Sequence, residues 1–354
     1  MPELAAIRHV SLQRMPLTVV IADVKFKVLI IGCGSIGERH LRCFQRTGRA
    51  EPTACEVNPS VLQRIRDQYQ VAGFASLDDA LASTKFDAAV VCTPADTHIP
   101  VAIKLIQQGM HVLIEKPLST SLDQVDALKA AIAASGKFCG VGYTYHFMPG
   151  LQKMREALRS GRFGKPLQVV VTAGQHFPTF RPAYREIYYA RHEAGGGAIQ
   201  DLLTHFANAI EWIVGPMTRV YCQAAHQMLE GVTVEDTVCL TANSGDVLVS
   251  CSVNQFQPPN ESIYQINCEH GSLKYELHEQ RWAEWPRGAE TWQFHAAPIK
   301  ERDDIFVAQA SAFLDGMTGK PTDLCTVDEA AQTLKVNLAN LASWRTGQPV
   351  ELQK

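Results

Sequence analysis

Residues 27–40, KVLIIGCGSIGERH, decide the fold of this chain. An apolar run, Val28–Ile31, passes directly into Gly32-x-Gly34-x-x-Gly37, and helix-forming residues follow. In such a strand–turn–helix unit the first glycine permits the tight turn and the second lets the backbone approach a pyrophosphate, while the third lets helix and strand pack closely. The helix N-terminus offers N–H groups and a positive dipole end to the phosphates. The stretch therefore predicts a dinucleotide-binding turn that includes Ser35 and Ile36.

Length and composition limit the classes of protein to consider. A chain of 354 residues is long for one core, which favours two domains. The net charge of −3 gives no reason to expect a nucleic acid or an anionic membrane as partner, and no apolar run approaches a membrane span. Ten cysteines are scattered without a Cys-x-x-Cys pair, which predicts a cytoplasmic protein with no metal site. Residues 1–25 resemble no leader peptide and are expected to be an N-terminal extension.

Strands and helices alternate over residues 26–148. The predicted strands are Lys27–Ile31, Pro52–Glu56, Asp87–Cys92, His111–Glu115 and Phe138–Tyr143. Apolar strands that alternate with helices are typical of a parallel sheet covered on both faces. This pattern predicts a Rossmann domain over residues 26–148.

After Pro149 the pattern changes to successive strands with few helices. The predicted strands are Pro166–Thr172, Thr218–Ala225, Thr237–Ala242, Val247–Val253, Tyr264–Cys268, Ser272–Leu277 and Thr291–Phe294. Turn signals between them indicate an antiparallel sheet, and we expect an α+β domain over residues 149–325. A last helix near Val327–Trp344, within a segment 326–354, is expected to pack back on the first domain.

Glu56 ends the second predicted strand, about 20 residues after the glycines, where this fold places an acid on the ribose hydroxyls. A carboxylate accepts a hydrogen bond from a 2′-OH but repels a 2′-phosphate, and Val57, Asn58 and Pro59 supply no cation. NAD is therefore favoured over NADP. The alternative is an ordinary surface carboxylate at a strand end.

Two further strand ends carry candidate cofactor contacts. Thr93-Pro94 follows the strand that ends at Cys92, at the carboxyl edge where open α/β sheets bind ligands. His98, a few residues later, is expected either to touch the cofactor or to be solvated. Glu115-Lys116-Pro117 follows the next strand, where a lysine held by a rigid turn would face the reactive end of the cofactor.

One predicted helix of the second domain carries Asp201, His205 and Asn208 at spacings of four and three, so the three residues share a face. Gly195–Gly197 allows close backbone approach just before this helix. A histidine can move a proton near neutral pH, which makes His205 a candidate base. The alternative is an amphipathic helix with an ordinary solvated stripe.

Together the glycine turn, Thr93-Pro94, Glu115-Lys116-Pro117 and Gly196-Gly197-x-x-x-Asp201-x-x-x-His205 resemble the glucose–fructose oxidoreductase, inositol dehydrogenase and rhizopine-catabolism family (Gfo/Idh/MocA). The resemblance implies a Rossmann domain followed by an α+β domain with a large open-faced, mainly antiparallel sheet, often used for homodimer or homotetramer contacts. It also implies NAD-dependent oxidation of a secondary alcohol of a sugar, inositol, other polyol or sugar acid. In that reaction His205 would accept the hydroxyl proton, Lys116 would steady the alkoxide, and Asp201 would hold a substrate hydroxyl.

Departures from the family pattern bear on the substrate. His146 stands where many relatives have arginine, and Asn208 stands where aspartate is common. The segment 175–193 is rich in basic and aromatic residues, among which the candidate substrate contacts are His176, Arg181, Tyr184 and Arg185. Its arginines would suit a carboxylate-bearing sugar. The alternative is a loop that packs on a neighbouring subunit.

Two other functions compete with the dehydrogenase. Some relatives of this family cleave glycosides through transient oxidation by a retained NAD, and others bind the cofactor without chemistry as sensors. The presence of Lys116, Asp201 and His205 together argues against a sensor. Release of sugar without net NADH would distinguish the hydrolase.

Overall fold

The structure is a computed structural model that describes residues 25–352. The expected N-terminal extension, residues 1–25, lies outside it apart from Lys25. The described chain forms two sheets, one of seven strands and one of nine. No helix within residues 25–352 is long and apolar enough to cross a membrane.

Six strands and five helices alternate through the first part of the chain. They are β1 (Phe26–Ile31), α1 (Ser35–Arg46), β2 (Ala50–Cys55), α2 (Pro59–Tyr69), β3 (Gly73–Phe74), α3 (Leu77–Ser83), β4 (Ala88–Val91), α4 (His98–Gln107), β5 (His111–Ile114), α5 (Val125–Ser135) and β6 (Cys139–Val141). All six strands are parallel, in the order β3-β2-β1-β4-β5-β6. The predicted parallel sheet is confirmed, and only the two-residue β3 was missed.

Both faces of this sheet are covered, which explains why its central strands β1, β4 and β5 consist mainly of apolar residues. Alternate residues of β1 enter two different clusters: Val28 and Ile30 pack with α1 and α2, and Leu29 and Ile31 pack with α4 and α5. The four side chains are at most 5% exposed. A strand with two buried faces cannot alternate apolar with polar residues, so it reads as a continuous apolar run.

The second part of the chain contains the other five helices and ten strands. They are α6 (Pro149–Arg159), β7 (Pro166–Gly174), α7 (Phe177–Phe180), α8 (Thr204–Val214), β8 (Arg219–Ala225), β9 (Thr237–Ser244), β10 (Val247–Asn254), β11 (Glu261–Cys268), β12 (Gly271–Glu276), β13 (Arg281–Pro286), β14 (Gln293–Ala296), α9 (Asp304–Met317), β15 (Cys325–Thr326), α10 (Val327–Thr346) and β16 (Val350–Glu351). A π-helical turn, Ile199–Leu203, leads directly into α8.

The nine-stranded sheet has the order β14-β13-β12-β11-β7-β10-β9-β8-β16, and every pair except β7 with β10 is antiparallel. Along β10, Val249 and Cys251 are buried while Leu248, Ser250 and Ser252 are exposed. Helices α6, α8 and α10 pack on the buried side. The sheet therefore has one open face, as the family resemblance implied.

Besides the short elements α7, β15 and β16, three elements of the second part were missed or displaced in the sequence analysis. Strand β13 and helix α9 were not predicted, and the last predicted strand, Thr291–Phe294, is shifted to Gln293–Ala296. Helix α9 packs on α1, where the Asp303 carboxylate accepts hydrogen bonds from Arg39 and Arg42. A helix stabilised by contacts with residues some 260 positions away leaves little local signal.

Helix α10 agrees with its prediction to within two residues and contacts both parts of the molecule. Its first half packs with the core of the parallel sheet, through Ala330, Ala331 and Leu334. Its second half packs with the core of the larger sheet, through Val336, Ala339 and Leu341. This one helix thereby joins the two sheets.

Candidate active site

The glycine turn, Gly32–Gly37, has the backbone geometry of a phosphate-binding turn. Gly32 has φ +82°, and a Cβ on Gly37 would lie 1.8 Å from the Gly32 carbonyl oxygen, so neither position admits a side chain without a shift. Gly34 differs because its φ is −65° and a Cβ there would meet nothing within 4 Å. No side chain caps the N-terminus of α1, so its first N–H groups remain open to a ligand. These residues fit a dinucleotide pyrophosphate.

Glu56 lies against this turn, at the carboxyl end of β2. Its Oε2 accepts a hydrogen bond from the Cys33 backbone N–H at 2.7 Å, and its Oε1 accepts one from Asn58 N–H at 2.8 Å. The carboxylate is thus fixed at the edge of the turn. An ordinary surface carboxylate would not accept hydrogen bonds from two backbone N–H groups of the turn region, as Glu56 does.

His98 links the ends of two neighbouring strands. Its Nδ1 lies 2.8 Å from the Pro117 carbonyl oxygen and its Nε2 lies 2.8 Å from the Thr93 carbonyl oxygen. The residue is 2% exposed, and burial lowers the pKa of its imidazole even though two carbonyl acceptors favour the protonated ring. The interpretation of His98 as a solvated residue is therefore wrong. Both ring nitrogens hold the turns that carry Thr93-Pro94 and Lys116-Pro117.

Glu115 has internal partners at both carboxylate oxygens. Its Oε1 lies 2.6 Å from Nε2 of His40, a fully buried residue of α1, and its Oε2 accepts a hydrogen bond from the Lys116 backbone N–H at 3.0 Å. The carboxylate is 5% exposed and directed into the protein. Glu115 thus connects the helix of the glycine turn to the backbone of Lys116, and its direct contact with the cofactor stays a prediction.

Lys116 meets the second part of the chain at Asp201. Lys116 Nζ donates to Asp201 Oδ1 at 3.1 Å and to the Asp201 carbonyl oxygen at 3.2 Å. The Tyr188 hydroxyl donates to the same Oδ1 at 2.5 Å, and Arg181 Nη1 donates to Oδ2 at 3.3 Å. We call these four residues, Lys116, Arg181, Tyr188 and Asp201, the Asp201 cluster.

The electrostatics of the Asp201 cluster keep its charges in place. Burial alone would raise the pKa of the Asp201 carboxyl, but Lys116, Arg181 and the Tyr188 hydroxyl hold it well below its usual range. Burial likewise disfavours the charge on Lys116, yet Asp201 keeps the pKa of the ammonium above its ordinary value. Both groups therefore stay ionised at neutral pH.

His205 lies one turn after Asp201 and stacks on the ring of Tyr145, with the ring centroids 4.9 Å apart. Its Nδ1 is buried without a hydrogen-bond partner among the described residues. Burial, followed by the charges of Lys116 and Arg181, lowers the pKa of His205 well below its ordinary value of 6.5. The imidazole is therefore neutral at neutral pH and can accept a proton.

The segment 176–194 contributes to the site through only some of the predicted residues. Arg181 reaches Asp201, but the Tyr184 hydroxyl and Arg185 Nε both donate to the Glu230 carbonyl oxygen, at 2.8 and 2.7 Å. Tyr184 is 1% exposed in a small apolar cluster with Phe177 and Tyr189. The expectation that Tyr184 and Arg185 contact the substrate is wrong, because both are directed to the loop around Glu230.

Three other predicted substrate contacts have internal partners. Nδ1 of His176 lies 2.8 Å from Thr179 Oγ1, within its own short helix. His146 is fully buried, stacks on Trp212 at 4.4 Å, and its Nδ1 lies 2.8 Å from the Asp323 carbonyl oxygen. Asn208 is 1% exposed and its Nδ2 donates to Thr333 Oγ1 at 3.1 Å. His146 and Asn208 are therefore corrected to structural residues.

Two residues of the site were missed in the sequence analysis. Tyr188 is one of many aromatic residues in its segment, and only the fold brings its hydroxyl to Asp201. Glu235 is 1% exposed and accepts a hydrogen bond from Ile199 N–H at 2.9 Å, at the start of the helical segment that carries Asp201 and His205. A Cβ on Gly197, where φ is +84°, would lie 2.5 Å from the Glu235 carboxylate. The close backbone approach expected at Gly195–Gly197 thus serves the contact between Gly197 and Glu235.

Relatives of this chain match it over part or most of its length. It is 24% identical over 306 residues to the myo-inositol dehydrogenase Hyg17 of Streptomyces leeuwenhoekii, covering 84% of this chain and 90% of Hyg17. It is 27% identical over 199 residues to YrbE of Bacillus subtilis, an uncharacterised oxidoreductase, and this match spans 55% of this chain and only 56% of YrbE. A solved structure of the WlbA dehydrogenase from Bordetella pertussis, in complex with NADH and UDP-GlcNAcA, has a TM-score of 0.81 at 25% identity and covers 94% of this chain and 99% of WlbA.

Two family descriptions match the two parts of the chain. Residues 26–143 match the oxidoreductase family with an NAD-binding Rossmann fold, and residues 151–274 match the Gfo/Idh/MocA C-terminal domain. The first match covers the six parallel strands and contains the glycine turn, Glu56 and Lys116, and the second covers the larger sheet as far as β12. The chain therefore belongs to the Gfo/Idh/MocA family of oxidoreductases, as the resemblance of its motifs predicted.

Proposed function

We propose that this protein is an NAD-dependent dehydrogenase that oxidises a secondary alcohol of a sugar, inositol, other polyol or sugar acid. The observation that carries the proposal is the contact between Lys116 and Asp201. Lys116 follows β5 at the carboxyl edge of the parallel sheet, two strands from β1 and its glycine turn. Asp201 lies in the helical turn before α8, which packs on the nine-stranded sheet. Hyg17 is a myo-inositol dehydrogenase, and the WlbA dehydrogenase structure contains NADH and UDP-GlcNAcA, so both relatives support this substrate class.

The charge states define the role proposed for each residue. His205 is neutral and accepts the hydroxyl proton, while the Lys116 ammonium stabilises the oxygen as negative charge develops on it. Asp201 orients Lys116 and keeps the ammonium charged, and the remaining lone pairs of its carboxylate are available for the substrate hydroxyl that the resemblance implied. NAD, when bound, supplies the hydride acceptor.

The cofactor contacts follow from the glycine turn. Gly34, Ser35 and Ile36 present backbone N–H groups to the pyrophosphate, and Gly32 and Gly37 maintain the turn that makes this possible. Glu56 accepts a hydrogen bond from the ribose, which favours NAD over NADP. Thr93 and Pro94, at the end of β4, border the cofactor on the way to Lys116.

We also propose a cytoplasmic homodimer or homotetramer that associates through the open face of the nine-stranded sheet. Leu248 lies on this open face and is 58% exposed, and contact with a partner subunit would cover it. Every one of the ten cysteines is unpaired, as expected in a reducing compartment. Light scattering of the purified protein would test the association.

A panel of sugars, inositols, other polyols and sugar acids, each supplied with NAD, tests the reaction. We expect NADH to form in proportion to the oxidised product for at least one class. Release of sugar from glycosides without net NADH would favour the hydrolase, and binding of NAD without any turnover would favour the sensor.

A further inference from the structure

We infer that the substrate carries a carboxylate in addition to the reacting hydroxyl, and that the Arg181 guanidinium binds this carboxylate. The inference rests on the proposed dehydrogenase function and narrows its substrate class to acidic sugars and related hydroxy acids. It follows from the balance of charge in the Asp201 cluster and from the geometry of Arg181.

The Asp201 cluster carries more positive than negative charge. Two cations, Lys116 and Arg181, contact a single carboxylate, and the Tyr188 hydroxyl donates to the same carboxylate. Asp201 is 3% exposed, and the Lys116 side chain is 13% exposed. Glu115, which accepts a hydrogen bond from the Lys116 backbone N–H, adds a second anion on the Lys116 side. Arg181 is therefore the cation of the cluster that an external anion can pair with.

A further cation contributes to the charge around Arg181. Arg302 makes no ion pair or hydrogen bond with other residues of the range 25–352, and its charge adds to those of Lys116 and Arg181 in lowering the pKa of His205. Partial desolvation, followed by the charges of Arg39 and Arg181, lowers the pKa of Arg302, although this residue is exposed to solvent. Arg302 therefore adds a partly screened positive charge near Arg181.

Arg181 has the free donors that a carboxylate needs. Among residues 25–352, its side chain donates one long hydrogen bond to Asp201, 3.3 Å from Nη1 to Oδ2, and lies close to the Tyr188 hydroxyl, although a guanidinium has five donors. The side chain is 32% exposed, and its guanidinium lies 5.3 Å from the Phe177 ring centroid, which limits its orientation. The remaining N–H groups of this guanidinium can therefore donate two parallel hydrogen bonds to a carboxylate, while the Phe177 ring limits its orientation.

Arg181 and Lys116 approach Asp201 from different sides, which separates their functions. Lys116 contacts Oδ1, and Arg181 contacts Oδ2. One ammonium is sufficient for the developing negative charge on the reacting oxygen. The second cation therefore has a different anionic group to recognise on the same substrate.

Matched pairs of substrates test this inference with the full-length protein and NAD. The pairs are D-glucuronate and D-glucose, D-galacturonate and D-galactose, and UDP-glucuronate and UDP-glucose. In any pair that reacts, we expect kcat/KM of the acid to exceed that of the neutral sugar by about 100-fold, the effect of a charge-assisted pair of hydrogen bonds.

Variants of two arginines on the same segment locate the effect. Arg181→Gln should raise KM for the acid about 30-fold or more with a much smaller change in kcat, and Arg181→Lys, which keeps the charge but loses the paired donors, should fall between. Arg185→Gln is the matched control, because Arg185 is held by Glu230 and should behave as the wild type. Thermal melting of each variant verifies folding.

Each outcome decides between the two proposals. Equal use of the neutral sugars, turnover of neutral polyols alone, or equal losses for both members of a pair in Arg181→Gln would overturn the carboxylate inference and leave the dehydrogenase intact. Absence of NADH from every pair and from the polyol panel would overturn the proposed function, and the inference with it.

Discussion

The glycine turn and the Asp201 cluster form the two sides of the proposed site, and they are built in different ways. The turn depends on backbone conformation over six consecutive residues, with Glu56 only 23 positions from Cys33. The cluster depends on side-chain charges, and Lys116 and Asp201 are 85 positions apart. The glycine turn is therefore encoded by a short stretch of sequence, whereas the Asp201 cluster forms only after the two sheets have packed together.

The two sides also differ in what a substitution should do. Backbone geometry fails when a side chain is added, because atoms overlap within the turn. A charge cluster fails when a side chain is removed, because the remaining charges lose their partners. Four predictions use this difference, from the largest expected effect to the smallest.

Removal of Lys116 should have the largest effect on turnover and little effect on the cofactor. We expect Lys116→Ala to lower kcat about 1,000-fold, since one preorganised donor to a developing charge is lost. The dissociation constant for NAD should change less than about threefold, because the glycine turn is untouched. Steady-state NADH production and a fluorescence titration measure the two quantities.

A surface lysine provides the control for Lys116. Lys104 on α4 pairs with Asp78 and is 47% exposed, so Lys104→Ala should leave both kcat and NAD affinity unchanged. If Lys116→Ala retained wild-type turnover, Lys116 would have no part in the reaction.

Two glycines of the turn, Gly37 and Gly34, should respond differently to replacement by alanine. Gly37→Ala places a Cβ 1.8 Å from the Gly32 carbonyl oxygen and should reduce the free energy of unfolding by about 3 kcal/mol, measured in urea. Gly34→Ala meets no protein atom within 4 Å and should change that free energy by less than about 0.5 kcal/mol. It should nevertheless weaken NAD about tenfold, because the methyl group stands where the pyrophosphate approaches. Equal stability of the two variants would contradict this account of the turn.

Replacement of Glu56 should distinguish cofactor recognition from support of the turn. We expect Glu56→Ala to weaken NAD binding about 10- to 100-fold, the range for a hydrogen bond to a charged group, and to affect NADP much less. Glu56 also accepts a hydrogen bond from Cys33 N–H, so a purely structural role would weaken both cofactors alike. Titration of the variant with each cofactor separates the two results.

The acid limb of the pH–rate profile should depend on the Asp201 cluster. The reaction needs neutral His205, so kcat should fall only as the pH drops through its pKa, which burial, Lys116 and Arg181 hold well below 6.5. Arg181→Gln removes a cation that opposes protonation, so the limb should move to higher pH, by about half a unit to one unit. The profile of Arg185→Gln is the control. A limb that stayed in place, or moved to lower pH, would show that His205 is not the group that titrates.

The elements and residues that sequence reasoning found share a local signal. Strands β1, β4, β5 and β6 are mainly apolar runs next to helix signals, and strand β2 lies between two helix signals. Helix α10 follows Thr326, which forms a capping box with Glu329. The motifs around Lys116 and Asp201 were recognised because their residue types and order are specific. Helix α9 and strand β13 were missed because their stability comes from distant partners.

The side-chain contacts of the site that the sequence did not predict have a common cause as well. Arg181 and Arg185 are four positions apart in an irregular segment, yet only Arg181 reaches Asp201. Glu115 was predicted at the cofactor, and the buried His40 draws its carboxylate inward. In both cases the direction of a side chain was decided by its partner, which residue type and spacing do not reveal.

The sequence by itself predicted the glycine turn, the parallel sheet around it and the use of NAD, and it supplied the proposal that Lys116, Asp201 and His205 form the reactive set. Only the tertiary structure decided which of the basic and aromatic residues of segment 176–194 surround Asp201, and that Tyr188 and Glu235 support the site. The physical reason is the separation in sequence between the interacting residues. Backbone conformation and apolar periodicity depend on neighbouring residues, whereas the charge balance around a buried carboxylate depends on groups that meet only when both sheets are in place.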